Sequence, residues 1–224
     1  MKIATGSVSG PLFIKELLDR DVPTVGVVIG ASDCATTCKN TLDTLKSLDR
    51  IALATKSPVV ITYLDNNDFD NRSKVDILAT KTISALSALV APNNKELDSR
   101  DISTWINFNR VSSIEPQLVT LSVYNEHDEI DESNEAVSVA TLLRNYDSAA
   151  PKLNADYSTV GYRTEESNDG PDITCVIELG KVPKIHSSVL ERKSKFEELE
   201  ESRSRGRYSI SGDDDDVTDS CLVL

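Results

Sequence analysis

Residues 5–31 read TGSVSGPLFIKELLDRDVPTVGVVIGA, and the order of patterns in this stretch decides the fold class. From Pro11 to Arg20 the apolar positions Leu12, Ile14, Leu17 and Leu18 follow helical spacing. Pro11 suits the first turn of that helix, where no N–H donor is needed. Thr24 to Ile29 is then a near-continuous β-branched run, the pattern of a strand covered on both faces. The alternation continues outward. Leu42, Leu45, Leu48 and Ile51 recur at three-residue spacing within Thr37–Thr55, which predicts an amphipathic helix. Pro58–Leu64 reads as a second buried strand, and Val75, Leu78, Ile83, Leu86 and Val90 mark a longer helix. Helical period resumes at Ile102, Trp105, Ile106 and Phe108, ahead of a strand over Leu118–Tyr124. Strands and helices in alternation require right-handed crossovers, so the expected class is α/β, a mostly parallel sheet flanked by helices.

Beyond Tyr124 the character changes. Glu135–Asn145 is expected to be a helix, and Tyr157–Arg163 and Asp172–Leu179 to be strands separated by a polar turn. Lys184 to about Arg205 reads as a long helix, and the Ser/Asp-rich remainder as a tail without a fold of its own. The expected organisation is therefore a first unit over 1–110, a smaller α+β unit over 111–183, a C-terminal helix over 184–205 and an acidic tail over 206–224.

The charge is concentrated. Among 224 residues, 37 acidic and 24 basic side chains leave a net charge of −13. Glu126–Glu135 carries six carboxylates and Gly212–Leu224 five, neither with a Lys or Arg. Such a chain repels phosphate backbones and anionic lipid, so the reading is no nucleic acid and no membrane surface. No apolar run reaches the ~18 residues of a membrane-spanning helix, and the first residues lack the apolar stretch of a signal peptide. Cys34, Cys38, Cys175 and Cys221 are too scattered for a disulfide framework and read as reduced thiols in a cytoplasm.

Two constellations could carry chemistry. Thr5–Gly6–Ser7–Val8–Ser9–Gly10 precedes a helix, and small residues there let backbone N–H groups converge on an anion; an ordinary turn and cap is the commoner use of such residues. Asp98 and Asp101, three apart at a helix start, could polarise a water or help hold a cation; N-capping by Asp98 is the alternative. His127 and His186 lie in contexts that do not suggest a general base, and the cysteines lack further zinc ligands nearby. The final Cys221–Leu222–Val223–Leu224 matches a prenylation box, but the run before it is Asp213–Asp216 rather than basic.

Taken together, these segments resemble the phage-tubulin branch of the tubulin/FtsZ superfamily. The glycine-rich loop and helix resemble that family's phosphate loop. Leu97–Phe108 (LDSRDISTWINF) resembles the segment that inserts catalytic acids into a neighbouring subunit, and the helix through ERKSKFEE with its Asp-rich end resembles the family's C-terminal helix and tail. The resemblance implies a GTP-dependent, Mg2+-requiring filament subunit that self-associates head to tail. Gly6, Ser7, Ser9 and Gly10 would hold phosphates. Asp98 and Asp101 would orient the attacking water in the next subunit's site. Asp213, Asp214, Asp215, Asp216 and Asp219 would form the tail that docks on a neighbouring subunit. The implied role is to position the phage replication compartment in the cytoplasm of an infected bacterium. The resemblance makes residues 1–110 the C-terminal part of a GTPase domain, with the first part of that domain expected to be missing and GTP binding by the chain alone negligible. Glu96 stands where FtsZ has Asn. A second expectation is a non-enzymatic regulator that binds or caps filaments through its acidic tail.

Overall fold

The computed structural model describes residues 5–31, 33–66, 72–92, 94–126, 128–130, 135–164 and 170–207. The elements run α1 (Thr5–Asp19), β1 (Val25–Gly30), α2 (Ala35–Thr55), β2 (Val59–Asp65), α3 (Arg72–Leu89), α4 (Ser99–Ile106), β3 (Leu118–Asn125), β4 (Glu135–Leu143), β5 (Tyr157–Tyr162), β6 (Ile173–Leu179) and α5 (Lys181–Arg207). The six strands form one sheet in the order β1-β2-β3-β6-β4-β5. Its pairings leave five strands pointing one way and β6 alone opposed. The α/β class with a mostly parallel sheet is thus observed. Strands from the 1–110 and 111–183 spans share that sheet, joined by the β2–β3 pairing.

Both faces are covered, as the β-branched runs require. On one face Leu18 of α1, Leu45, Leu48 and Ala52 of α2, and Val182 and Ile185 of α5 pack on Val59, Ile61 and Leu118. On the other, Ala85 and Leu89 of α3 and Ile102, Trp105 and Ile106 of α4 pack on Val60 and Val119. Successive residues of β2 therefore serve opposite cores, the geometric consequence of a two-residue strand period. Gly180 turns the chain from β6 into α5 at φ +83°, a conformation that favours glycine.

Two elements differ from the sequence reading. Glu135–Asn145 is strand β4, not a helix, inserted between β6 and β5. Every side chain from Val137 to Leu143 is buried. A strand buried on both faces shows no alternation, so its apolar run has the same appearance as a buried helix. The first helix starts at Thr5 rather than Pro11, which places Pro11 inside it.

Candidate functional site

The early start of α1 changes the local chemistry of the glycine-rich stretch. Gly6, Ser7, Ser9 and Gly10 lie in the opening turns of the helix instead of in a loop ahead of it. Pro11 cannot donate to the Ser7 carbonyl, the bond that a helical residue makes four positions back. Burial of Ile14 and Leu18 against α2 and β2 holds the helix nonetheless. What remains for an anion is the helix end, where the first four N–H groups lack intrahelical acceptors and the macrodipole is positive. Gly10 borders open space, since a Cβ there would meet nothing within 4 Å. Gly10 and Pro11 line a cavity of about 450 Å3 with Gly30, Ala31 and Asn40.

The two acids form a reciprocal cap. Asp98 precedes α4 in extended conformation, and its Oδ1 accepts from the Arg100 N–H at 2.7 Å and the Asp101 N–H at 2.9 Å. Asp101 Oδ2 accepts from the Asp98 N–H at 3.1 Å. Backbone donation from Asp101, then from Arg100, holds the Asp98 carboxyl below the usual carboxylate range. A carboxylate lowered on folding favours the folded state above the unfolded value of about 3.9, and that contribution disappears as pH falls through the lowered value. Tyr157 of β5 donates its hydroxyl to Asp101 Oδ1 at 3.4 Å. Burial, reinforced by the Asp101 charge, raises the Tyr157 phenol and keeps it a donor.

The loop that delivers Asp98 is clamped to β5. Lys95 and Tyr162 exchange backbone hydrogen bonds of 2.8 and 2.9 Å. Tyr146 stacks on Tyr162 with ring centroids 4.1 Å apart and donates to Glu96 Oε1 at 3.2 Å. Glu96 sits at φ 59°, a left-handed conformation that Asn adopts more readily than Glu. Gly161 allows this approach, because a Cβ there would lie 2.5 Å from Leu97 Cβ. Gly161→Ala is therefore expected to cost about 1–3 kcal/mol by overpacking, measured by urea unfolding. It should also move the start of α4, seen as amide shifts at Asp98 and Asp101. Tyr146, Tyr157, Gly161 and Tyr162 had no signal in the local sequence, since they meet the acids only through the β5 edge.

The candidate groups do not meet within one chain. The start of α1 stands beside β1, and Asp98 and Asp101 stand beside β5; these strands are the two outer edges of the sheet. Five strand spacings separate them, roughly 24 Å. Among the described residues, no cluster of three or more His, Cys, Asp or Glu could hold a metal ion. Burial pushes the Cys38 thiol up and takes Cys175 to about 12, so neither of these two is a reactive thiolate. No helix among the described residues is long and apolar enough to cross a membrane. Asp213, Asp214, Asp215, Asp216, Asp219 and Cys221 lie outside the described residues, as do His127 and residues 131–134 of the first acidic segment. A groove between α2 and α5 is lined by Lys39, Lys46 and Lys193 beside Leu42 and Leu190, together with Asp43 and Glu197, the latter paired with Lys193.

Comparison with known proteins gives a consistent picture. A family model described as "Phage tubulin-like protein, C-terminal domain" matches residues 97–177. The chain is similar to a phage tubulin-like protein of Pseudomonas phage PhiPA3, 29% identical over 98% of this chain and 70% of the relative. A second, from Pseudomonas phage phiKZ, is 27% identical over 99% of this chain and 67% of the relative. Among solved structures, the phage tubulin PhuZ with GDP superposes with a TM-score of 0.81 at 24% identity, covering 96% of this chain and 67% of that one. The PhuZ201 filament superposes at 0.80 with 25% identity, over 96% and 68%. The chain thus spans 67–70% of the length of the two phage relatives.

Proposed function

We propose that this homologue of the phage tubulin-like proteins is a subunit of a GTP-dependent filament, in which two copies complete each hydrolytic site. The observation that carries this reading is the placement of the two half-sites at opposite edges of one sheet. Roughly 24 Å apart, they cannot serve one phosphate chain together. Head-to-tail stacking removes the difficulty, since a heterologous contact of this kind sets one edge of a copy against the other edge of the next. Such contacts propagate as filaments. GTP would supply the phosphoanhydride to be cleaved, and Mg2+ would arrive with its phosphates.

Within that site the residues divide the work. The first turn of α1, with Gly6 and Ser7, would present its N–H donors to phosphate oxygens, and Ser9 and Gly10 follow in the next turn, where their N–H groups are used within the helix. Asp98, held ionised by its backbone donors, accepts a hydrogen bond from water but is a weak base. Its role is accordingly to orient the nucleophile, with Asp101 beside it. The lysine-bearing groove between α2 and α5 supplies a seat of opposite charge for a neighbour's Asp213, Asp214, Asp215, Asp216 and Asp219. In the infected cell such a filament would position the phage replication compartment.

Two experiments test this reading. In filaments mixed with the full-length PhiPA3 relative, Asp98→Asn should preserve the α4 cap, since Asn caps as well as Asp. It should still lower GTP turnover by at least about tenfold, in keeping with loss of an oriented water. Unchanged turnover by Asp98→Asn, with the chain incorporated, would exclude a hydrolytic role. Deleting residues 211–224 should in turn abolish co-sedimentation with the filaments; full co-sedimentation of the shortened chain would refute tail docking.

A further inference from the structure

We propose that Tyr157 is a positioning residue for GTP hydrolysis: its hydroxyl fixes the plane of the Asp101 carboxylate, and with it the oxygens that Asp101 offers to the attacking water. The inference rests on the two-copy hydrolytic site proposed for this chain, and adds to it a residue of β5 that acts only through Asp101.

The helix cap alone does not fix Asp101. Its Oδ2 accepts from the Asp98 N–H at 3.1 Å. The last torsion of an aspartate side chain is broad, so a bond at one oxygen leaves the carboxylate plane free to swing. The Tyr157 hydroxyl supplies a second point from a different element, 3.4 Å from Oδ1. At that length the bond is weaker than those of the cap. It therefore selects among orientations of the carboxylate and leaves the holding of the helix to the cap. Hydrogen bonds of this length at hydrolytic sites tighten once substrate is in place. Each carboxylate oxygen accepts in two directions, so both oxygens of Asp101 keep one for water.

The phenol is itself held in place. Tyr157 is half-buried, packs against the larger core cluster and stands in register with Ser138 of β4. This cross-strand pair grips α4 at two points. Ser138 donates to the Trp105 carbonyl at 2.9 Å, and Tyr157 donates to Asp101. From Asp101 to Trp105 the helix rises about 6 Å, close to the strand spacing of about 4.8 Å. The helix therefore lies across β4 and β5, and its first turn is seated over β5. Tyr157, Thr159 and Gly161 fall on one face of β5 by the two-residue strand period. A Cβ on Gly161 would lie 2.5 Å from Leu97 Cβ, so that face meets the segment leading into the helix as well as its first turn. Burial raises the Tyr157 phenol, the Asp101 contact and the Asp98 charge add to this, and a hydrogen bond from Thr159 opposes it. The hydroxyl thus stays protonated and donates.

The test has two arms. On the full chain alone, carbon-13 labelling of the tyrosine ring Cζ reports by NMR what each hydroxyl donates to, with Tyr157 assigned through Tyr157→Phe. Asp101→Asn should shift the Tyr157 resonance and leave that of Tyr146 in place; an unmoved Tyr157 resonance overturns the contact. In filaments mixed with the full-length PhiPA3 relative, Tyr157→Phe keeps the packed ring and removes only the donor. It should lower the GTP turnover contributed by the incorporated chain about tenfold at saturating GTP. KM should stay within about twofold, because nucleotide binding is untouched. In an Asp101→Asn background the same substitution should change turnover by less than about twofold, since its effect passes through Asp101. A loss confined to incorporation, or one that adds to the loss from Asp101→Asn, overturns the proposal. Full turnover by Tyr157→Phe, where Asp101→Asn lowers it, also overturns the proposal and leaves the two-copy site standing. Full turnover by both variants removes that site and the proposal with it.

Discussion

Trp105→Ala is expected to remove about 3–5 kcal/mol of stability, the range found for deleting a buried aromatic side chain. Trp105 is 0% exposed and lies among Leu97, Ile102, Phe108 and Val137 in the larger core cluster. Its indole N–H has no hydrogen-bond partner among the described residues, so truncation forfeits packing rather than a polar contact. The loss is therefore that of a large apolar surface and the cavity left behind. Phe at the same position should recover much of it, because it refills most of the space without adding a polar group. For a domain whose whole stability is about 5–15 kcal/mol, the alanine variant sits near its threshold. Urea unfolding read by circular dichroism measures both variants, and a loss under about 1 kcal/mol for Trp105→Ala would contradict close packing at this point. The effect also reaches the acids. Trp105 anchors α4, and Ser138 donates to the Trp105 carbonyl at 2.9 Å, so the helix that begins at Asp98 is pinned from its far end.

The second large effect is expected at Glu178, a carboxylate only 1% exposed on β6. Ser122 donates to its Oε2 at 2.9 Å and Tyr124 to its Oε1 at 3.2 Å. The Lys181 ammonium pairs with the same carboxylate and reaches Ser122 Oγ at 2.7 Å. Burial, with the Glu178 charge adding to it, raises the Tyr124 phenol and keeps it protonated as the donor. Glu178→Ala strands two hydroxyls and an ammonium, and should cost about 3 kcal/mol, the low end for breaking a buried pair, because Lys181 keeps some solvent contact. Glu178→Gln retains acceptance from one side and should cost roughly half as much. Replacing both partners, as Glu178→Met/Lys181→Met, should be milder than Glu178→Ala, since no charge is left without a counter-ion. The same unfolding assay checks the series; equal losses in all three variants would show that side-chain shape and not charge governs the site. Because this network closes the turn from β6 into α5, the single mutants should also loosen the seat of α5 against α2.

Much of the fold could be read from residue order. The β-branched runs Thr24–Ile29 and Pro58–Leu64 announced two strands, of which β2 is buried over its first four residues while β1 keeps Ile29 exposed, and the three-residue leucine spacing of α2 announced a helix. Periodicity failed at β4, where burial on both sides erases alternation and leaves an apolar run that a helix could equally produce. It failed again at the start of α1, where packing of Ile14 and Leu18 extends the helix through glycine, serine and proline.

The sequence by itself determined the α/β class, the place of Asp98 and Asp101 at the start of a helix and the separation of acidic segments from a nearly balanced core. These are properties of neighbouring residues, set by helix and strand periods, capping and charge. Only the tertiary structure decided where those pieces stand: Asp98 and Asp101 clamped to β5 by Tyr157 and the Lys95–Tyr162 bridge, and the glycine-rich helix end beside β1. Strand order is a choice among long-range pairings that no local pattern encodes. It is made by burying both faces of the sheet at once, and it alone sets the glycine-rich helix end and the Asp98–Asp101 cap at opposite edges.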